Sequence, residues 1–172
     1  MKNPVFVFLI LMAFLFAGCF SEKDSVFYDS EWIMQNYDSQ GNLYYHQLIL
    51  EPGHKAVLRA AYADSSKIME WTGSYKINSK KINFNFSECV RSENGKIAEQ
   101  YTSGKMIKFY SGEFFYSVAE LGEEGEEKKQ YHLELIRPKN YFYGKNTDIF
   151  GNKLEEFVKV NRSNNSDEKE SK

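Results

Sequence analysis

The sequence predicts an all-β protein: an antiparallel, up-and-down β-barrel of about eight strands after an N-terminal signal segment. Short runs rich in aromatic and β-branched residues are separated by turn residues roughly every ten positions. Aromatic residues make up 16% of the chain, and they favour pleated sheet over helix. The stretch Ile82-Asn83-Phe84-Asn85-Phe86 alternates strictly between apolar and polar residues, which is typical of a half-buried strand.

Four strands are expected before that alternating stretch. They cover residues 31–37, 43–50, 54–63 and 67–77. The turn cluster 38–42 separates the first two, and Pro52-Gly53 follows the second. Pro-Gly suits a type II turn, because Pro presets φ and Gly accepts a positive φ. Gly73 lies inside the fourth strand, where a glycine marks a bend or a bulge that lets a barrel curve.

The remaining strands follow a second set of turn signals. Asn94-Gly95 predicts a hairpin turn. We expect the sixth, seventh and eighth strands over residues 97–110, 114–121 and 131–136. The charged stretch 122–129 reads as a solvated hairpin tip. Residues 154–160 fit either a helix face or a strand, and we favour a strand because a barrel needs its last edge covered.

The N-terminus has the layout of a secretory signal. Lys2 precedes an apolar run over residues 5–16, and two small residues then precede Cys19. The stretch Leu15-Phe16-Ala17-Gly18-Cys19 resembles the lipobox of bacterial lipoproteins. That resemblance implies cleavage before Cys19 and acylation of its thiol and amino group, with palmitate among the acyl chains. An uncleaved signal anchor and a plain signal peptide are the alternatives.

The resemblance divides the chain into a signal peptide (1–18), a tether (19–29), a β-barrel domain (30–160) and a disordered tail (161–172). Three acyl chains would hold the protein firmly on a membrane, since one chain alone binds only marginally. Phe20 after the lipidated cysteine, rather than Asp, favours the outer membrane, on its periplasmic face or at the cell surface. The tail contains no apolar residue.

Composition limits the partners of the exported chain. Lys and Arg number 22 against 24 Asp and Glu, and loss of Lys2 with the signal leaves a net charge of −3. No basic field exists to recruit nucleic acid. With Cys19 acylated, Cys89 has no partner within the chain, and it reads as a small apolar core residue.

A second resemblance concerns the domain itself. Trp32, the segment Gly73-Ser74-Tyr75-Lys76-Ile77 and the stretch 157–160 look like features of small bacterial lipocalin-like lipoproteins. The resemblance implies a barrel whose interior is either packed or holds one small ligand. The candidate ligand-binding residues are Trp32, Tyr45, Trp71, Tyr75, Tyr141 and Tyr143. Tyr141 and Tyr143 would form a binding lip or plug the open end of the barrel.

Catalytic and metal-binding patterns are weak in this sequence. His46, His54 and His132 lack the Cys pair or H-E-x-x-H spacing of common zinc sites. Glu120 and Glu134 form a carboxylate pair only if the fold brings them together. We therefore expect no enzyme and no cofactor. The expected function is a lipid-anchored, non-enzymatic envelope protein that binds a small apolar ligand or an envelope or host protein. The alternative is a structural or assembly factor of the outer membrane that acts through its surface without a ligand.

Overall fold

The structure is a computed structural model that describes residues 26–64, 66–122, 130–138, 147–154 and 156–160. The predicted signal peptide, Cys19, most of the hairpin tip at 122–129, Tyr141, Tyr143 and the tail 161–172 lie outside the described residues.

Nine strands and one short helix make up the described part. The strands are β1 (Ser30–Tyr37), β2 (Leu43–Glu51), β3 (Lys55–Tyr62), β4 (Lys67–Asn78), β5 (Lys81–Glu93), β6 (Lys96–Tyr101), β7 (Gly112–Leu121), β8 (Gln130–Ile136) and β9 (Phe157–Lys159). Helix α1 covers Lys105–Tyr110. No helix among the described residues is long and apolar enough to span a membrane.

Eight of the strands close into a ring in which every pairing is antiparallel. Strands β1 to β5 follow one another, β5 pairs with β7, β7 with β8 and β8 with β9, and β9 returns to β1. The all-β, up-and-down fold expected from the sequence is confirmed. So is the closing strand, since β9 pairs Trp32 with Lys159 and Ile33 with Val158.

The expected sixth strand over 97–110 is wrong in its second half. Strand β6 ends at Tyr101, and α1 occupies the rest. Gly104 adopts φ 84°, which directs the chain into the helix, and Ile107 and Tyr110 then lie one turn apart and are buried. Because β4 occupies one edge of β5 along its length, β6 and β7 pair with successive parts of the other edge. Helix α1 therefore interrupts one wall of the ring.

Gly73 marks a bulge, as the sequence predicts. The register between β4 and β5 shifts between Thr72 and Gly73. A Cβ at position 73 would clash with the backbone oxygen of Asn85 on the neighbouring strand. Only glycine allows the two backbones to approach this closely.

The core fills the ring from end to end. Ile82, Phe84 and Phe86 are buried, as their alternation predicts. Cys89 is buried as well, as expected, and burial raises the pKa of its thiol to about 12. At the end where the chain enters, Phe27 is fully buried against Trp32 and Tyr116. We call this the N-terminal end of the ring, and the opposite end, with the turns at 38–42, 63–66 and 94–95, the far end.

Candidate functional site

The interior of the ring has almost no free volume. The cavity among its inward-facing side chains measures about 20 Å³ and lies among apolar side chains together with His46 and Tyr110. That space matches roughly one water molecule. A lumen of this size does not accommodate a ligand unless core side chains move.

The predicted ligand-binding residues do not gather around one cavity. Trp32 is fully buried, and its Nε1 donates to Ser30 Oγ at 2.9 Å. Trp71 is also buried and donates from Nε1 to the carbonyl oxygen of Met106 at 2.9 Å. Tyr75 belongs to the same core cluster. Tyr45 alternates with buried Tyr44 and His46 and therefore lies on the outer face of β2. The other two candidates, Tyr141 and Tyr143, lie outside the described residues.

A five-residue turn covers part of the far end of the ring. Asp148 is buried, and its Oδ1 accepts from the backbone N–H groups of Phe150 and Asn152 at 2.9 and 3.0 Å. Its Oδ2 accepts from the hydroxyl of Tyr44 at 2.6 Å. The ring of Phe150 packs 4.2 Å from that of Tyr44 and 5.0 Å from that of Tyr62. These contacts cover the part of the far end above His46, and an open apolar groove of about 280 Å³ remains beside Phe150, next to Ala60 and Met69.

His46 lies next to this turn, with its ring 5.8 Å from that of Phe150. Its Nε2 is 2.8 Å from the hydroxyl of Tyr110, which itself accepts from the backbone N–H of Ile149 at 2.8 Å. The direction of the bond between Nε2 and the hydroxyl depends on the tautomer of the neutral ring, and Nδ1 has no hydrogen-bond partner among the described residues. Burial lowers the pKa of His46 to about 3. His46 is thus a neutral core residue at physiological pH.

Two of the other candidate catalytic groups, His132 and Glu134, line one open groove on the outer face, and Glu120 lies outside it. His132 is on the outer face of β8, with Nδ1 3.1 Å from Glu156 Oε1. Glu134 accepts from Ser117 Oγ at 3.3 Å. Glu120 lies opposite Tyr131 in the register, three positions along β7 from Ser117, so Glu120 and Glu134 are not cross-strand partners. Within the described ranges, no group of three or more His, Cys, Asp or Glu side chains could hold a metal ion.

The outer face of the ring carries a cross-strand row that the sequence did not reveal, in which polar Ser92 interrupts apolar side chains and Ala61 is buried. The register aligns Tyr45 with Ala61, Ala61 with Ile68, Ile68 with Ser92 and Ser92 with Ile97. The row ends on β6, where Ile97 is 69% exposed. Residues 96–100 are all exposed. No described strand pairs with the edge of β6 that faces away from β5.

Comparisons with known proteins give no relative. No protein-family model matches the chain, and neither a curated protein nor a solved structure matches it at a significant level.

Sequence reasoning missed the turn at 148–152 at the far end of the ring, although the sequence contained a signal for it. The pattern Asp-x-x-Gly-Asn occurs at 38–42 and again at 148–152. In both copies the Asp Oδ1 accepts from the backbone N–H groups two and four residues later. The repeated spacing would have predicted a second ordered turn where the strand pattern was lost.

Proposed function

We propose that this chain is a lipid-anchored cell-envelope protein without enzymatic activity, which acts through its outer surface on another envelope or host protein. The lipid anchor would be Cys19, and the outer membrane the site. Of the two roles considered for the domain, the surface role has the better support.

The size of the lumen carries this preference. A free volume of about 20 Å³ compares poorly with the roughly 300–1,000 Å³ of typical small-molecule sites. Phe27 fills one end of the ring, and the Asp148 turn with Phe150 covers part of the other, where the open groove beside Phe150 is about 280 Å³. A small apolar ligand would have to displace tightly packed aromatic side chains. A partner at the outer face requires no such rearrangement.

The anchor and the ligand question can be tested on the same preparation. Cells that make the full chain are labelled with radioactive palmitate, and the protein is purified in detergent for native mass spectrometry. We expect palmitate incorporation that Cys19→Ser abolishes, together with a mass that contains no additional small molecule. Absence of label from the wild-type chain contradicts the anchor, and a stoichiometric bound molecule contradicts the surface role.

A further inference from the structure

The β5–β6 hairpin lies at the far end of the ring, where the N–H of Asn94 donates to the carbonyl of Ser66. Asn94 and Gly95 adopt φ values of 50° and 74°, as a two-residue hairpin turn requires. Strand β6 is exposed on both faces over residues 96–100. Every other strand of the described sheet has a partner on each edge over at least part of its length, whereas the outer edge of β6 has no described strand along any of it.

We propose that this edge takes up an extended segment of a different protein as an additional strand, an inference that rests on the surface role proposed above. Backbone hydrogen bonds along β6 would supply the general affinity. Side-chain selectivity would come from Ile97 and Lys96. An apolar residue of the incoming segment would pack against the exposed side chain of Ile97, and an acidic residue would pair with Lys96.

The charges around Lys96 support that assignment. Its register partner on β5 is Glu93, whose carboxylate is held by Arg91 at 2.6 Å. Arg91 also binds Glu99 at 3.2 Å. Lys96 has no ion pair with any residue that the structure describes. Its ammonium group is therefore available to a carboxylate on an adjacent strand.

Geometry argues against a second copy of this chain as the occupant. Antiparallel pairing of two β6 strands would point the two N-terminal ends in opposite directions. The seven residues from Cys19 to Ser25 reach at most about 25 Å, so both anchors could not enter one bilayer. Parallel pairing would bring the two Lys96 side chains together. The bulge at Ala98 of β6 and the charge of Lys96 also suppress indiscriminate edge pairing.

Photo-crosslinking in cells that make the full chain tests the proposal. A benzoylphenylalanine at position 100 of β6 reports on the bare edge. The same group at position 115 is the control, because Phe115 is also exposed but both edges of β7 are paired there, with Lys81 and Ile136. We expect a crosslink to another protein at 100 and none at 115. Ile97→Lys should reduce it at least about fivefold, whereas Phe115→Lys should leave it unchanged.

The crosslinked segment is then identified, synthesised and added to the purified full chain. We expect slower hydrogen exchange at the amides of β6 and no change in β2. Several results overturn the proposal: no crosslink at 100, a product with twice the mass of the chain, insensitivity to Ile97→Lys, or unchanged exchange in β6. Palmitate labelling in the same cells separates these outcomes from failure of the lipid anchor. A bound small molecule in the native mass would instead contradict the surface role.

Discussion

The two Asp-x-x-Gly-Asn turns have the same local structure in opposite surroundings. In the turn at 38–42, the N–H of Asp38 donates to the carbonyl of Asn42 at 3.0 Å, and that of Gly41 donates to the carbonyl of Asp38 at 3.0 Å. In the turn at 148–152, the corresponding distances are 2.7 and 3.1 Å. The first turn is exposed, whereas Asp148 is only 1% exposed.

The two asparagines show how one local motif serves two purposes. Asn42 folds back and donates from Nδ2 to Asp38 Oδ2 at 3.0 Å. Asn152 instead donates to the carbonyl of Tyr37 at 2.9 Å and to the hydroxyl of Tyr44 at 2.8 Å. The first turn is therefore self-contained, and the second is bonded to the hairpin that contains the first.

The pKa values of the two carboxyl groups shift in opposite directions. Hydrogen bonds from the side chain and backbone of Asn42 lower the pKa of Asp38. Burial raises the pKa of Asp148, although Tyr44 and three backbone N–H groups act in the other direction. The stabilising contribution of ionised Asp38 is lost as the pH falls through its lowered pKa. Ionisation of Asp148 instead costs stability as the pH rises through its raised pKa.

The largest expected effect comes from removing each aspartate. Asp148→Ala leaves two backbone N–H groups and the hydroxyl of Tyr44 without their acceptor in a buried place, so we expect a loss of about 3–5 kcal/mol in the free energy of unfolding. Asp38→Ala should cost much less, because water replaces the carboxylate there. Urea denaturation of both variants measures the difference. Equal losses would show that burial of the second turn has no energetic consequence.

The stability of the fold should also depend on pH through His46, which lies next to the buried turn. The ring of Phe150 lies 5.8 Å from that of His46, whose folded-state pKa is about 3. Since the unfolded chain takes up a proton below pH 6.5, the free energy of unfolding should fall between about pH 6.5 and 3, by at most roughly 1.4 kcal/mol per pH unit. We expect His46→Gln, which keeps an acceptor for Tyr110, to flatten this slope in urea titrations. An unchanged slope would refute the assignment.

Replacing the tyrosines that donate to the two aspartates should give a smaller difference in the free energy of unfolding. Tyr44 donates to Asp148 at 2.6 Å in the interior, whereas Tyr62 donates to Asp38 at 3.2 Å near the surface. Tyr44→Phe should lower the free energy of unfolding by about 1–3 kcal/mol, because a buried charged acceptor loses its donor. Tyr62→Phe should have little effect. Thermal unfolding of the two variants gives the comparison, and a larger loss for Tyr62→Phe would reverse the ranking.

Replacing either of the two turn glycines by alanine should lower the free energy of unfolding by the same amount. Gly41 and Gly151 have φ values of 83° and 88°, and an added Cβ would meet no atom within 4 Å at either position. Only the left-handed backbone conformation opposes alanine, at about 1–2 kcal/mol in each case. Matching losses for Gly41→Ala and Gly151→Ala would show that this cost is local. A much larger loss at Gly151 would mean that the buried turn cannot relax around a strained residue.

Local patterns predicted most of the sheet. The alternation over 82–86 identifies β5, Asn94-Gly95 identifies the hairpin, and Gly73 identifies the bulge. Helix α1 was missed because six residues are too few to show a helical period, and its apolar residues fit a strand equally well. The cross-strand row from Tyr45 to Ile97 depends on register between distant segments, which no local pattern specifies.

Sequence reasoning selected the right residue types for the interior but not their roles. Trp32, Trp71 and Tyr75 are aromatic and face inward, as a ligand-lined lumen would require. Whether such residues line a space or fill it depends on how their volumes fit together in three dimensions. In this chain they fill it.

The position of Phe27 has a mechanical consequence for any anchor upstream of it. Its ring lies 5.8 Å from that of Trp32 and 5.0 Å from that of Tyr116, and its carbonyl accepts from Ser30 Oγ at 2.8 Å. A pulling force applied at such an anchor would therefore act on the packing of Phe27 before it acted on the hydrogen bonds of β1. A protease that cut after Phe27 would separate the domain from such an anchor. The same cut would detach Phe27 from the chain that follows it, so its ring could leave the N-terminal end of the core.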